Sequence, residues 1–162
     1  MLTYQSFFQS PLGLIQLVGD DNFITEIKFV MQTQEESVAL PKVLRECKTQ
    51  LIEYFAGERK NFDIPLSQSG TDFQQRVWNE LQTIPFGKTI SYLQLAKKLG
   101  DAKVIRAAGT ANGKNKIAII VPCHRVIGTN GSLTGYAGGL DKKKWLLDWE
   151  GKKNGQQVLG WA

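Results

Sequence analysis

The chain has 162 residues and a formal net charge of +5, with 42% hydrophobic and 22% charged residues. This composition excludes a disordered protein, because it supplies enough apolar side chains for a core. No apolar run reaches the roughly 18 residues that span a bilayer, and the first residues lack the pattern of a secretory signal. Two cysteines and one histidine are too few for a disulfide framework or a four-ligand zinc site. We therefore expect a soluble, cytoplasmic protein that binds no membrane.

The two halves of the chain differ in charge. Residues 1–70 carry 6 Lys/Arg and 9 Asp/Glu, a net charge of −3, whereas residues 71–162 carry 14 and 6, a net charge of +8. A basic half joined to an acidic one is typical of a protein in which one domain binds a polyanion. A solubilising surface with a chance asymmetry is the alternative, and charge alone does not decide between the two.

Residues 1–70 predict a small α/β lobe. Three β-leaning runs, at residues 4–8, 12–18 and 23–30, are separated by turn signals and predict the antiparallel strands of a meander. After Pro41, apolar residues at helical spacing predict a helix that ends at Gly57. Residues 58–70 mix Pro, Ser and Gln, and we interpret them as a linker.

Residues 71–162 predict a mostly helical domain. Thr71 is a suitable N-cap for a helix with one apolar face. Residues 91–100 and 101–111 then predict two short helices that meet at a glycine turn, which is the pattern of a helix-turn-helix. The second of these helices carries Lys103 and Arg106 beside small residues that allow a partner to approach closely. A plain αα-hairpin of the core is the alternative, and this feature leaves both open.

The sole histidine of the chain directly follows one of the two cysteines. The apolar run at residues 117–121 predicts a buried strand or extended segment, and Pro122, Cys123, His124 and Arg125 come next. A free thiol has a pKa of about 8.5, so a nucleophilic cysteine needs a base or a positive field. We expect His124 to act through a water or a turn, and Arg125 to favour the thiolate. The alternative for Cys123 is a small buried hydrophobe, the role that we assign to Cys47.

Two features downstream of Cys123 are compatible with a ligand site. The glycine-rich loop at residues 135–139 suits a backbone that wraps around a planar ligand, and it is also an ordinary connector. Residues 142–150 predict a final helix with Glu150 at its end. Glu150 is either a solvated surface carboxylate or the group that orients His124, as in catalytic triads.

The segment Pro122-Cys123-His124-Arg125-Val126, preceded by Ile119-Ile120-Val121, resembles the active-site motif of the O6-alkylguanine-DNA alkyltransferases, or methylated-DNA–protein-cysteine methyltransferases. The resemblance covers essentially all of residues 71–151, in order and with the family's spacing. Its other segments are Phe73-Gln74, Val77-Trp78, Ile84-Pro85-Phe86-Gly87, Ser91-Tyr92, Arg106-Ala107-Ala108-Gly109, Asn115, Gly135-Tyr136-Ala137-Gly138-Gly139, and Trp145-Leu146-Leu147 with Glu150. The first 70 residues match more loosely, at Ser10-Pro11-Leu12-Gly13 and Tyr54-Phe55-Ala56-Gly57.

This resemblance implies an α/β N-terminal lobe followed by a mostly α-helical lobe with a helix-turn-helix. In the family the second helix of that motif enters the minor groove, and the damaged nucleotide is flipped into a pocket. Arg106 would then fill the space left in the base stack, and Tyr92 would lie at the rotated phosphate and donate to the purine ring. Asn115 would be a structural hinge. Further contacts with DNA or the base are implied for Ala107, Ala108, Gly109, Arg125, Thr129, Tyr136 and Ala137, the last of which is serine in some relatives.

The activity implied by the resemblance is irreversible alkyl transfer from O6 of guanine, and from O4 of thymine, in duplex DNA to Cys123. His124 would take the thiol proton through a water, and Glu150 would hold the imidazole. Each molecule would react once, without cofactor or metal, and we expect a monomer. Two other functions stay open: a non-catalytic module that recognises alkylated guanine, which needs no thiol, and a cysteine hydrolase that uses Cys123 and His124.

Overall fold

A computed structural model describes residues 2–155 of the chain and divides it into two compact units. The first unit comprises residues up to Ser69 together with Lys116–Ala118. It contains an antiparallel sheet in the order β1 (Tyr4–Ser10), β2 (Gly13–Gly19) and β3 (Ile24–Phe29). The β1–β2 connection is a two-residue turn that closes on the Ser10–Gly13 pair, and Gly13 takes φ 113, which favours glycine. The predicted meander is therefore present.

Helix α1 (Lys42–Phe55) packs against this sheet. Its buried residues recur at helical spacing and form the apolar stripe that covers the strands. They are Val43, Leu44, Cys47, Leu51, Tyr54 and Phe55. Cys47 lies in this core, where burial raises its pKa to about 12. The thiol of Cys47 is therefore protonated and unreactive, as the sequence predicts.

The free edge of β3 is covered by two other segments of the first unit. Ile24 pairs with Leu66, and Ile27 pairs with Ile117. The predicted strand over residues 117–121 is wrong, because only Ile117 makes a bridge and the following residues form a turn. Ile119 has φ 71 in that turn, yet it is buried together with Ile120 and Val121. A run of apolar residues indicates that a segment is buried, but it does not by itself specify an extended backbone.

The second unit comprises Gly70–Asn115 and the residues from Ile119 onward, and residues 156–162 lie outside the described part. Its elements are α2 (Asp72–Leu81), β4 (Ile90–Ser91), α3 (Tyr92–Lys98), α4 (Ile105–Gly113), β5 (Val126–Ile127) and α5 (Leu140–Lys153). Thr71 and Ser91 each close a capping box, which explains where α2 and α3 begin. The indole of Trp78 donates to the carbonyl of Ala111 at 2.9 Å and ties α2 to α4.

Helices α3 and α4 form the predicted helix pair. The chain leaves α3 through Gly100, at φ 103, and makes one 3₁₀ turn over Ala102–Val104 before α4 begins. The second helix therefore starts at Ile105, later than expected. The fold class is confirmed: an α/β N-terminal part is followed by a mostly helical part. No helix within residues 2–155 has the length and apolarity that crossing a membrane requires.

Candidate active site

Cys123, His124 and Arg125 form one buried 3₁₀ turn directly before β5. Cys123 is 8% exposed and His124 is fully buried. The turn is held by Asn115, whose amide donates to the carbonyl of Val121 at 2.8 Å. The same amide hydrogen-bonds the Cys123 thiol and acts to lower its pKa. Asn115 therefore touches the sulfur as well as the backbone, which goes beyond the structural role expected from the resemblance.

The structure brings His124 and Glu150 together. Nε2 of His124 lies 2.8 Å from Oε2 of Glu150, and both side chains are buried. Glu150 is an interior residue of α5, which continues to Lys153, so its predicted position at the helix end is wrong. Nδ1 of His124 is buried and has no hydrogen-bond partner within residues 2–155. The imidazole is thus fixed through one nitrogen, and the other is available as a base.

Arg125 belongs to the same buried cluster and faces the interior. Its Nε donates to Oε1 of Glu150 at 2.8 Å, and its Nη2 donates to Oε2 at 3.0 Å. Its Nη1 donates to the carbonyl of Ile84 at 2.7 Å. The expected contact of Arg125 with DNA is therefore corrected, because a guanidinium that is buried and paired in this way cannot reach a phosphate. Its position follows from the charge of Glu150, which needs a cation beside it when buried.

Burial sets the charges of the cluster at rest. It raises the pKa of the Cys123 thiol, and it lowers the pKa of His124 even though Glu150 acts to raise it. Burial also acts to raise the pKa of Glu150, but His124 and Arg125 outweigh it and hold that pKa well below its usual range. The resting site is therefore a neutral thiol and a neutral imidazole beside a charged Glu150–Arg125 pair.

Lys143 supplies the positive field at the thiol, a role that the sequence analysis gave to Arg125. It is fully buried on α5, and its Nζ donates to the carbonyl of Thr134 at 2.8 Å. Burial lowers the pKa of Lys143 to about 8, and its charge acts to lower the pKa of Cys123. Lys143 is not among the site residues predicted from the sequence. Helical spacing could have indicated Lys143, because positions 143, 147 and 150 lie on one face of a helix and Glu150 belongs to the site.

Two tyrosines lie close to the thiol. The hydroxyl of half-buried Tyr92, at the start of α3, donates to the carbonyl of Thr134 at 3.2 Å. The hydroxyl of Tyr136 is buried without a partner within the described residues, and burial raises its pKa well above the ordinary value. Both phenols therefore stay protonated at neutral pH. The hydroxyl of Tyr136 can donate to a bound ligand directly, whereas that of Tyr92 must first leave the carbonyl of Thr134.

The remaining predicted residues divide by exposure. Arg106, Ala107, Thr129 and Ala137 are exposed. Ala108 is fully buried, so its expected contact with DNA is corrected: it packs inside the unit because it lies on the inner face of α4. Gly109 is half-buried, and a Cβ there would lie 3.6 Å from Cδ1 of Tyr92. The outer face of α4 instead carries Thr110 beside Arg106, and exposed Lys114 directly follows the helix.

We expect Lys143→Met to slow the alkylation of the Cys123 thiol by iodoacetamide about tenfold at neutral pH, the effect of one unit of thiol pKa. The loss of the buried cation raises the cost of forming the thiolate. Alkylation rates measured across pH should give a profile displaced to higher pH. Lys144→Met is the matched control, because Lys144 is exposed and pairs with Asp148. An unchanged pH profile in Lys143→Met would show that the field comes from elsewhere.

Among residues 2–155, no group of three or more His, Cys, Asp or Glu is arranged to hold a metal ion.

Two family models match the chain and together cover most of it. Residues 72–152 match the DNA binding domain of 6-O-methylguanine DNA methyltransferase, and residues 3–68 match the ribonuclease-like domain of the same protein. A methylated-DNA–protein-cysteine methyltransferase of Methanosarcina acetivorans is 48% identical over 153 residues, which is 91% of this chain and 98% of the relative. A relative of that name from Mycolicibacterium paratuberculosis is 49% identical and covers 91% of both chains.

Solved structures give the same result. The crystal structure of Mycobacterium tuberculosis O6-methylguanine methyltransferase has a TM-score of 0.84 at 44% identity and covers 94% of each chain. The Mycobacterium tuberculosis protein in complex with DNA has a TM-score of 0.82 at 46% identity, covering 91% of this chain and 92% of the other. The chain therefore belongs to the family of the methylated-DNA–protein-cysteine methyltransferases.

Proposed function

We propose that Cys123 is the cysteine that accepts the alkyl group in this chain. As a member of the family, the protein is an enzyme that repairs DNA by alkyl transfer to a cysteine. The observation that carries the assignment to Cys123 is the buried series Cys123–His124–Glu150, in which Nε2 of His124 is 2.8 Å from Glu150 and Nδ1 has no partner within residues 2–155. The other thiol, Cys47, is buried in the first unit, where burial raises its pKa to about 12.

The reaction that we propose starts from the neutral thiol and imidazole. Nδ1 of His124 takes the proton of Sγ through a water, and Glu150 and Lys143 stabilise the imidazolium and the thiolate. The thiolate attacks the alkyl carbon in line. The S–C bond forms, the bond between carbon and O6 of guanine breaks, and its electron pair stays on the base. Tyr92 turns its O–H from the carbonyl of Thr134 to the purine ring and donates the proton as this negative charge develops. The imidazolium of His124 then returns a proton to the phenolate through solvent, so the proton of the thiol ends on guanine.

The product explains why each molecule reacts once. S-alkylcysteine is a thioether, and none of the groups at the site offers a hydrolytic route back to the thiol. The protein would therefore be consumed in proportion to the lesions that it repairs, which are O6-alkylguanine and, by the family's chemistry, O4-alkylthymine.

The proposed DNA partner is a duplex bound through α4. Arg106, Ala107 and Thr110 are exposed on this helix, Lys114 is exposed directly after it, and the small Ala107 side chain allows the backbone to approach a narrow groove. We infer that α4 enters the minor groove, that the alkylated nucleotide is flipped toward Cys123, and that Arg106 occupies its place in the stack. Thr129 and Ala137, also exposed, would lie at the bound nucleotide.

The experiment that tests this function is intact mass spectrometry after incubation with a duplex that carries O6-methylguanine, followed by peptide mapping. We expect a gain of one methyl group on Cys123, stopping at one equivalent. Cys47→Ser is the matched control and should react fully, whereas Cys123→Ser should not react. Methylation of Cys47 would overturn the assignment. Tight, lesion-selective binding without any mass change would instead favour the non-catalytic recognition module, and turnover without a modified cysteine would favour a hydrolase.

A further inference from the structure

Asn112 is a buried amide beside the active site that the chemistry described so far does not use. It lies on the inner face of α4 and is 3% exposed. Its Nδ2 lies 3.4 Å from the carbonyl oxygen of Cys123, and its Oδ1 is buried without a partner within the described residues. A buried amide oxygen that is left unpaired costs stability. Packing alone therefore does not explain the orientation of the Asn112 side chain, and its hydrogen bonds must be considered.

The second contact of Asn112 is with Tyr92. Gly109 lies against the ring of Tyr92, and Asn112 is three residues further along α4, hence on the same face of the helix. Burial raises the pKa of Tyr92, and a hydrogen bond from the Asn112 side chain acts in the opposite direction. Because the single O–H of Tyr92 donates to the carbonyl of Thr134, and Oδ1 of Asn112 has no partner within the described residues, this hydrogen bond is donated by Nδ2 of Asn112 to the phenol oxygen. Both N–H groups of the Asn112 amide then donate hydrogen bonds, and this orientation of the side chain leaves Oδ1 without a partner among the described residues.

We propose that Asn112 is a positioning residue for alkyl transfer, whose amide donates to the phenol oxygen of Tyr92 and to the carbonyl of Cys123. This inference rests on the proposed function. The side chain of Asn112 thereby links Tyr92, the proton donor, to the backbone of Cys123, the nucleophile. Both residues are then held at the same guanine.

The link also has a chemical effect through Tyr92. A phenol oxygen that accepts a hydrogen bond has a more polarised O–H group, because hydrogen bonds in a chain strengthen one another. As the carbon–O6 bond breaks, the guanine gains negative charge, and the proton of Tyr92 moves toward a ring nitrogen. Asn112 stabilises the negative charge that this movement leaves on the phenol oxygen. Its contribution should therefore grow with the basicity of the leaving base.

The test is a double-mutant cycle measured on two leaving groups. Single-turnover rates of Asn112→Leu, Tyr92→Phe and the double variant are measured with free O6-benzylguanine, and again with an O6-benzylated purine that carries an electron-withdrawing substituent at C8. We expect Asn112→Leu to slow the guanine substrate about tenfold and the electron-poor purine less than about threefold. In the Tyr92→Phe background, Asn112→Leu should slow neither substrate further.

Two further variants complete the design. Asn112→Ala keeps a good helix former at the position and serves if leucine does not fit. Asn79→Leu, at an exposed position of α2, is the matched control and should react like the wild type. Equal slowing of both substrates, or slowing that persists in Tyr92→Phe, would reveal a merely structural role and overturn the inference. If the wild type itself transfers no benzyl group to Cys123, it is the proposed function that fails.

Discussion

Arg106→Ala should lower the rate of repair of duplex O6-methylguanine about a hundredfold and leave the reaction with free O6-benzylguanine unchanged. Extrusion of a base costs a few kcal/mol of lost stacking and pairing, and a side chain that fills the gap recovers part of it. A loss of about 2.7 kcal/mol corresponds to the hundredfold change. The free base needs no extrusion, so it reports on Cys123 chemistry alone. Both single-turnover rates are measured on the same preparation.

Two control variants separate the filling of the stack from simple attraction to phosphate. Lys114→Ala removes an exposed charge directly after α4, and its loss should weaken duplex binding modestly at every sequence. Arg106→Lys keeps the charge but lacks the planar guanidinium that stacks on bases, so it should resemble Arg106→Ala. If Arg106→Ala slowed the free base as much as the duplex, Arg106 would act on the site and not on the flipped nucleotide.

The helices and strands of this chain follow from local patterns. The capping boxes at Thr71 and Ser91 mark the starts of α2 and α3, and the turn signals between β1 and β2 mark the hairpin. Such signals depend only on residues a few positions apart, so a sequence reports them directly. The turn at Ile119 is different, because its apolar neighbours are buried by contacts that no local pattern encodes.

The site could be predicted as a set of residue types but not as a set of contacts. Cys123, His124 and Glu150 stand out by type and by resemblance. The partners of Arg125 do not, because Glu150 and Ile84 come from distant parts of the chain and meet it only in the fold. The burial of Ala108 and of Asn112 likewise depends on which face of α4 packs inward. Helical spacing alone cannot assign that face on a helix whose residues are mostly small.

The free energy of unfolding should fall by about 3 kcal/mol or more in Glu150→Gln, the cost of removing one partner of a buried ion pair. The substitution keeps the shape of the side chain but leaves the guanidinium of Arg125 buried without a countercharge, and it takes the carboxylate from His124. Alkyl transfer should slow as well, because the imidazolium loses its anion. Urea denaturation gives the stability, and single-turnover reaction with O6-benzylguanine gives the rate.

The pH dependence and a second substitution identify the cause of this loss. Because folding lowers the pKa of Glu150, its stabilisation is complete above the ordinary glutamate pKa of about 4.3 and is lost progressively as the pH falls further. The difference in stability between the wild type and Glu150→Gln should therefore shrink on acidification. Adding Arg125→Met to Glu150→Gln removes the stranded cation and should recover part of the stability, while the rate stays low. A double variant no more stable than Glu150→Gln would mean that the unpaired charge of Arg125 is not what destabilises the single variant.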